Sequence, residues 1–376
     1  MKNIKLCNWF AVFNLLFFIA TTTVEAVYKA VIKESVVDMN SSFPPTPESS
    51  PICRGNVSNC HRAHQGLYNE IVDCLEVRGD AVRVVFCNVK YNLSDDPNKN
   101  SFWMHKRNLV PLEELDSAFK QFIPDTQYGL KSTLVLTYPW KNFSVGTRFQ
   151  RRAQDDTESH YGIEFIDFDH NEIMSDVVPV DSALEEIVQN EQATRKLFVG
   201  NLSNLIDRVA RTEKVIAFVW GGSSFRSGYK NKDFYKENDA WHRSELKNPY
   251  TGYDCSELVL RMAQIAGINF PWKTTLAIEQ AQRKLTEEDT LENGDLLWFS
   301  GFVMIVSDVK NNELIESRGY NSGYGRVQKI KLEQVFEGIT TYDDLLRSYR
   351  LKQPLRLKNS QGELYLEVNF ELLKLM

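Results

Sequence analysis

Apolar and polar positions alternate from Val27 to Met39, the period of a strand with one face buried. A Ser- and Pro-rich loop follows, Ser41 to Pro51. Two short strand patterns, Glu70–Val77 and Ala81–Val89, flank the turn Arg78-Gly79-Asp80. Tyr91 to Ser101 is polar and turn-prone, Phe102 to Lys106 reads as a strand, and Asn108 to Leu112 closes this unit. Ser132–Tyr138, Gly146–Arg151 and Tyr161–Asp167 are again short and rich in β-branched or aromatic residues. Short strands separated by turns predict small β-barrels. The period then lengthens. Ser182 and Glu185 stand at capping-box spacing, and helical patterning continues to Glu213. After a long polar loop from Phe225 to Gly252, Leu258, Val259, Met262 and Ile265 recur at helical spacing and stop near Gly267. A second helix is predicted from Leu276 to Leu285. Strands are predicted at Leu296–Phe299, Val303–Val309, Glu313–Ser317 and Arg326–Ile330. Helices followed by a sheet predict an α+β domain.

Cys255 is the first candidate for chemistry. It lies between Asp254 and Ser256, at the start of the helical pattern. Unpaired N–H groups and the positive helix end there favour a thiolate, the reactive form of cysteine. The alternative is a small buried cysteine at a capped helix start. Asp254 either binds a substrate amine or caps the helix. Ser256 either offers its backbone N–H to a developing oxyanion or is an ordinary first-turn serine.

The N-terminus has Lys2 and Lys5, an apolar run from Trp9 to Ala20 and small residues at Val24-Glu25-Ala26. This predicts a signal peptide cut after Ala26 and hence an exported protein, periplasmic or extracellular. A membrane anchor is the alternative, but the run is short for a span of about 20 residues. No later segment is long enough to cross a bilayer. Cleavage would leave Cys53, Cys60, Cys74 and Cys87 clustered and Cys255 apart. An even cluster in an exported chain suggests disulfides, and the leftover suggests a free thiol. Cys74 and Cys87 are not opposite one another across their turn, so that pairing is disfavoured. Their spacings also lack the C-x-x-C pairs of a zinc site. No metal and no cofactor is expected. The net charge of −6 over 376 residues and the lack of a basic stripe exclude nucleic acid as an expected partner.

Several motifs in order resemble the NlpC/p60 family of cysteine peptidases. They are Trp220-Gly221-Gly222, Asp254-Cys255-Ser256 with Leu258-Val259, Ala266-Gly267-Ile268, Lys273-Thr274-Thr275 and Gly294-Asp295-Leu296. Ahead of them, Val36-Val37-Asp38-Met39, Gln65 to Glu70 and Phe102 to Lys106 resemble a bacterial SH3-like domain. Gly146-Thr147-Arg148-Phe149 resembles part of a second. The combination is similar to γ-D-glutamyl-diamino-acid endopeptidases. The resemblance implies a signal peptide (1–26), SH3-like units (27–115 and 130–180), a helical connector (181–213), a papain-like NlpC-type α+β domain (214–352) and a C-terminal tail (353–376). It implies hydrolysis of peptidoglycan stem peptides with Cys255 as nucleophile. It also implies that the first SH3-like unit walls the cleft, with Glu70 and Trp103 as candidate lining residues; otherwise they are a solvated strand residue and a core aromatic. Trp220 with its two glycines is expected to pack a tight turn under the cleft.

One position departs from the family. The base histidine is expected where Phe302 stands, in Ser300-Gly301-Phe302-Val303, and no histidine follows His242. Glu316 falls at the third position of the triad. Phenylalanine can neither take the thiol proton nor protonate a leaving amine, a step worth about 10²–10⁴-fold. Three readings follow. The first is an active exported peptidase in which His242, otherwise a solvated loop residue, replaces the base. The second is an impaired relative that binds stem peptides. The third is a structural or partner-binding protein.

Overall fold

The computed structural model describes residues 28–45, 62–123, 133–184, 190–230 and 251–376. The signal-peptide stretch, Cys53, Cys60 and His242 lie outside the described residues.

The first unit has strands β1 (Tyr28–Ile32), β2 (Val36–Asn40), β3 (Arg62–Leu67), β4 (Ile71–Arg78), β5 (Ala81–Val85), β6 (Phe102–His105) and β7 (Leu109–Pro111). They form one antiparallel sheet in the order β3-β2-β6-β5-β4-β1-β7. Its end strands do not pair with each other, so the expected closed barrel is not present among the described residues. The predicted turn holds: β4 and β5 pair around it, with Arg78 opposite Ala81 and Cys74 opposite Val84. Cys74 carries a free thiol and has no bond to Cys87.

The second unit is also an open sheet. Strands β8 (Thr133–Leu136), β9 (Arg148–Arg151), β10 (His160–Asp167), β11 (Glu172–Pro179) and β12 (Ala183–Leu184) run in the order β11-β10-β9-β8-β12. Leu134, Leu136, Phe149, Ile163 and Val178 form a small core that Tyr68 of the first unit joins. The capped helix expected at Ser182 does not start there. Ser182 ends a short 3-10 turn and Ala183 enters a strand. The long helix runs from Glu191 to Ala210 and is capped by Asn190, whose side chain accepts from the Ala193 N–H. Asn is a good cap because its side-chain oxygen satisfies a backbone donor the helix cannot.

The third unit holds strand Lys214–Ala217, the Cys255–Ala266 helix, a helix at Thr275–Ala281, strands Leu296–Phe299, Phe302–Asp308, Glu313–Arg318 and Arg326–Lys331, and a helix at Tyr342–Arg350. Every residue of the Cys255 helix is buried, because the Glu191–Ala210 helix and the Phe302–Asp308 and Glu313–Arg318 strands pack against it. Gly267 ends it in the left-handed region at φ 77°, and its N–H closes onto the carbonyls of Ala263 and Gln264. Glycine reaches that conformation without a Cβ clash. Residues 353–376 are no tail. The last strand, Phe370–Leu373, pairs with Leu296–Phe299 and extends the sheet at its edge. Ala30, Met39 and Phe102 of the first unit share one apolar core with Leu258, Val259 and Met262. The first unit is therefore built into the wall of the third.

Candidate active-site groove

Cys255 is the first residue of its helix, and Asp254 is the cap. The Asp254 carboxylate accepts from the Glu257 N–H at 2.8 Å, from the Gly221 N–H at 3.0 Å and from the Ser256 hydroxyl at 3.2 Å. This carboxylate orients the helix start and ties it to the Trp220-Gly221-Gly222 turn. Gly221 has φ 63°, and a Cβ there would meet the Arg62 carbonyl oxygen at 2.5 Å. Only glycine lets the β3 strand come this close.

Cys255 lines a groove of about 330 Å³. Asp254, Ser256, Lys273 and Thr274 line it on one side, Phe218, Trp220, Gly301 and Phe302 on another. Arg62, Ala63 and Tyr91 of the first unit complete the wall. A second hollow of about 290 Å³ adjoins it, sharing Phe218, Trp220, Gly301, Phe302 and Gly319. Phe302 stands between the two. It opens its strand, lies opposite Phe299, and stacks on that ring at 5.3 Å between centroids. The Val303 backbone N–H, one residue on, lies where it favours the charged form of the Cys255 sulfur.

The thiol is not activated. Burial pushes it from 9.0 up to about 12, and the Asp254 charge adds to this. The N–H groups of Val303, Ser256 and Cys255 oppose the rise without overcoming it. The expectation of a thiolate at the helix end is thus corrected: desolvation of a nearly inaccessible sulfur outweighs the helix terminus.

Glu316 is fully buried and does not line the groove. Arg318 donates to it at 2.5 and 2.9 Å and Gln328 at 2.8 Å. Its carboxylate is spent within its own sheet. Glu70 is also turned inward, accepting from Arg261 at 2.6 Å and from the Leu67 N–H at 2.8 Å. Trp103 packs against Phe43 and beneath the guanidinium of Arg78, and does not line the groove. Both were candidate lining residues; the first unit presents Arg62, Ala63 and Tyr91 instead. Trp220 is 38% exposed at the rim rather than packed under the cleft. Among the described residues, no histidine lines either hollow.

The likeness to solved structures is one of fold. A structure of an NlpC/P60 family protein from Bacillus cereus ATCC 10987 superposes with TM-score 0.51 at 15% identity, covering 81% of this chain and 94% of that one. This chain has the fold of an NlpC/P60 protein. Two Trichomonas vaginalis structures, NlpC2 and NlpC1, align less closely, with TM-scores of 0.32 and 0.31 at 12% and 10% identity. They cover 82% and 94% of this chain, and the alignments take in 93% and 96% of their own lengths. No family profile matches the chain, and no curated protein matches it.

Beneath the groove lies a charged cluster the sequence reading did not single out. Glu257 is fully buried, 2.9 Å from His64 and 3.0 Å from Lys273. Burial raises the Glu257 carboxyl, but His64 and Lys273 more than offset it and hold it below its ordinary value. Burial works against the Lys273 charge, yet Glu257 and Asp254 raise its pKa on balance. Asp254 goes the other way. Burial and the Glu257 charge lift it from 3.8 to about 6, against Lys273 and its two backbone N–H donors. Lys273 had a visible signal, a lysine following the apolar run Phe270-Pro271-Trp272. His64 had none, since its partner Glu257 is 193 positions away.

Proposed function

We propose that this groove binds short cell-wall stem peptides and hydrolyses them weakly or not at all. The observation that carries the reading is that Phe302 lines the groove with Cys255 and that, among the described residues, no histidine lines it. Acyl transfer by a thiol needs a base to remove the proton and an acid to supply one to the leaving amine. Phe302 supplies neither. Glu316, at the third position, is held by Arg318 and Gln328.

The binding half of the machinery is better kept. Asp254 sets a carboxylate in the wall, and Lys273 and Arg62 line the same wall with their charges met by Glu257 and Asp38. The Asp254 carboxylate suits a peptide carrying a free amine. The built-in first unit limits the groove to short ligands. Export is part of this proposal, because such peptides derive from the cell wall. It is supported by the N-terminal sequence pattern.

Calorimetric titration with L-Ala-γ-D-Glu-diaminopimelate tests the binding half. The expected result is saturable binding that weakens on Asp254→Asn. No heat and no competition at millimolar peptide would overturn it in favour of a structural or partner-binding protein.

A further inference from the structure

The hollow beside the groove has a character of its own. Rings make up most of its wall: Phe218, Trp220, Phe299, Phe302, Tyr320 and Tyr365. They are set before any ligand arrives. Tyr320 meets Phe218 edge-on, 89° apart with centroids at 6.0 Å, and donates its hydroxyl to the Phe218 carbonyl at 2.8 Å. Gly325, at φ 63°, lets the backbone pass close to that ring: a Cβ there would stand 2.4 Å from it. Rings fixed in advance lose little freedom on binding. Trp220 and Tyr365 remain 38% and 42% exposed at the rim.

The same wall carries polar groups. Ser300 and Asn321 are exposed, and among the described residues neither side chain has a hydrogen-bond partner. Ser322 differs. It is buried, and its hydroxyl donates to the Gly319 carbonyl at 2.7 Å, which fixes the Tyr320–Ser322 turn that presents Asn321. Arg318 brings a charge to the lining, but that charge is already met. Its guanidinium is held by Glu316, donates to the Lys358 carbonyl at 3.0 Å and lies over the Tyr324 ring at 4.8 Å.

Together these features discriminate among guests. An anionic group would compete with a buried carboxylate for Arg318. A cationic group finds no carboxylate in the lining. A purely apolar group would cover Ser300 and Asn321 without pairing them, at about 1–3 kcal/mol for each group left unsatisfied. A sugar ring in its pyranose form meets both demands. Its C–H face lies on an aromatic ring, and its hydroxyls donate and accept at the edge.

We infer that this hollow is a subsite for a neutral pyranose saccharide. The chemistry of the hollow carries this, and it goes beyond the peptide reading of the groove. Where both ligands bind, they are separate molecules. Asp254 suits a free amine, which a stem peptide joined to a sugar through that amine lacks. Phe302 lines both hollows and divides the two ligands.

Calorimetric titration of the full chain with N,N′,N″-triacetylchitotriose, a neutral saccharide, tests the subsite. Saturable binding is expected. Asn321→Ala and Tyr365→Ala should each weaken it about fivefold or more. Asn321→Ala removes only an exposed side chain with no partner, so the fold is not at stake. A second arm uses N-acetylmuramoyl-L-Ala-γ-D-Glu, in which sugar and peptide are one molecule. It should bind no tighter than the chitotriose. Binding about tenfold tighter would mean one ligand spanning both hollows and would overturn their separation. No saccharide binding, or binding that both variants leave unchanged, overturns the subsite. The peptide of the preceding section is a different ligand, so that failure leaves the groove standing, and loss of peptide binding alone leaves the subsite standing.

Discussion

At Cys255 two effects of opposite sign meet on one sulfur. A helix N-terminus offers about 0.3–1 kcal/mol to a negative charge. The rise of the thiol from 9.0 to about 12 corresponds to about 4 kcal/mol against it, so burial wins. In an active cysteine hydrolase an imidazolium beside the sulfur reverses this balance. Here the phenyl ring of Phe302 lines the same groove and can supply no such charge. The consequence is measurable. Mass-spectrometric mapping of iodoacetamide labelling against pH should show Cys255 labelling without an inflection between pH 7 and 9.5, while the same peptide in denatured chain inflects near 9. The stability linkage has the matching sign. The folded pKa is above the unfolded one, so the contribution of this thiol is full below about pH 9 and is lost as pH rises toward 12. The position of Cys255 was legible because helix starts are local: a capping Asp, an apolar period and a closing Gly fall within fourteen residues. Its ionisation was not, because burial is set by tertiary packing, and the residues lining the groove with Cys255 come from stretches far apart in sequence, Arg62 and Phe302 among them.

At the scale of elements, several strands and the Arg78-Gly79-Asp80 turn were legible, while the break between β1 and β2, the strands β3 and β11 and the closure of the sheet were not. The β4–β5 hairpin follows from alternating residues and a Gly turn, both local. Whether seven strands close into a barrel depends on hydrogen bonds between β3 and β7, which no periodicity records. The wall residues Arg62, Ala63 and Tyr91 escaped for a related reason, since they meet Cys255 only through tertiary packing. The Phe370–Leu373 strand reads as a tail because four residues are too few to show a period. Yet Phe370, Leu372, Leu373 and Leu375 are all buried. At about 1.5–3 kcal/mol each, they contribute about 6–12 kcal/mol, comparable with the whole stability of a domain. Truncation after Lys352 should therefore yield protein without a cooperative thermal transition. A truncated chain melting within a few degrees of the full one would show that this strand is dispensable.

At the scale of the molecule, the sheet of the first unit and the Cys255 helix share a core, and Arg261 locks the arrangement. This arginine is almost fully buried, donating to Glu70 of the first unit and to the carbonyls of Ser223 and Gln65. A pair so buried is costly to break from one side, about 3–5 kcal/mol. The fold thus invests in holding a groove open between two units while the reacting groups of the groove are neutral or occupied. The account's central claim is that the groove lacks a working base because Phe302 occupies the place of one. Release of diaminopimelate from L-Ala-γ-D-Glu-diaminopimelate, followed by mass spectrometry for the native chain and for Phe302→His, tests this most directly. The prediction is a rate at least about a hundredfold higher in the histidine variant, dependent on Cys255. Equal rates, with both abolished by Cys255→Ala, would mean that another group serves as the base and that the central claim is wrong.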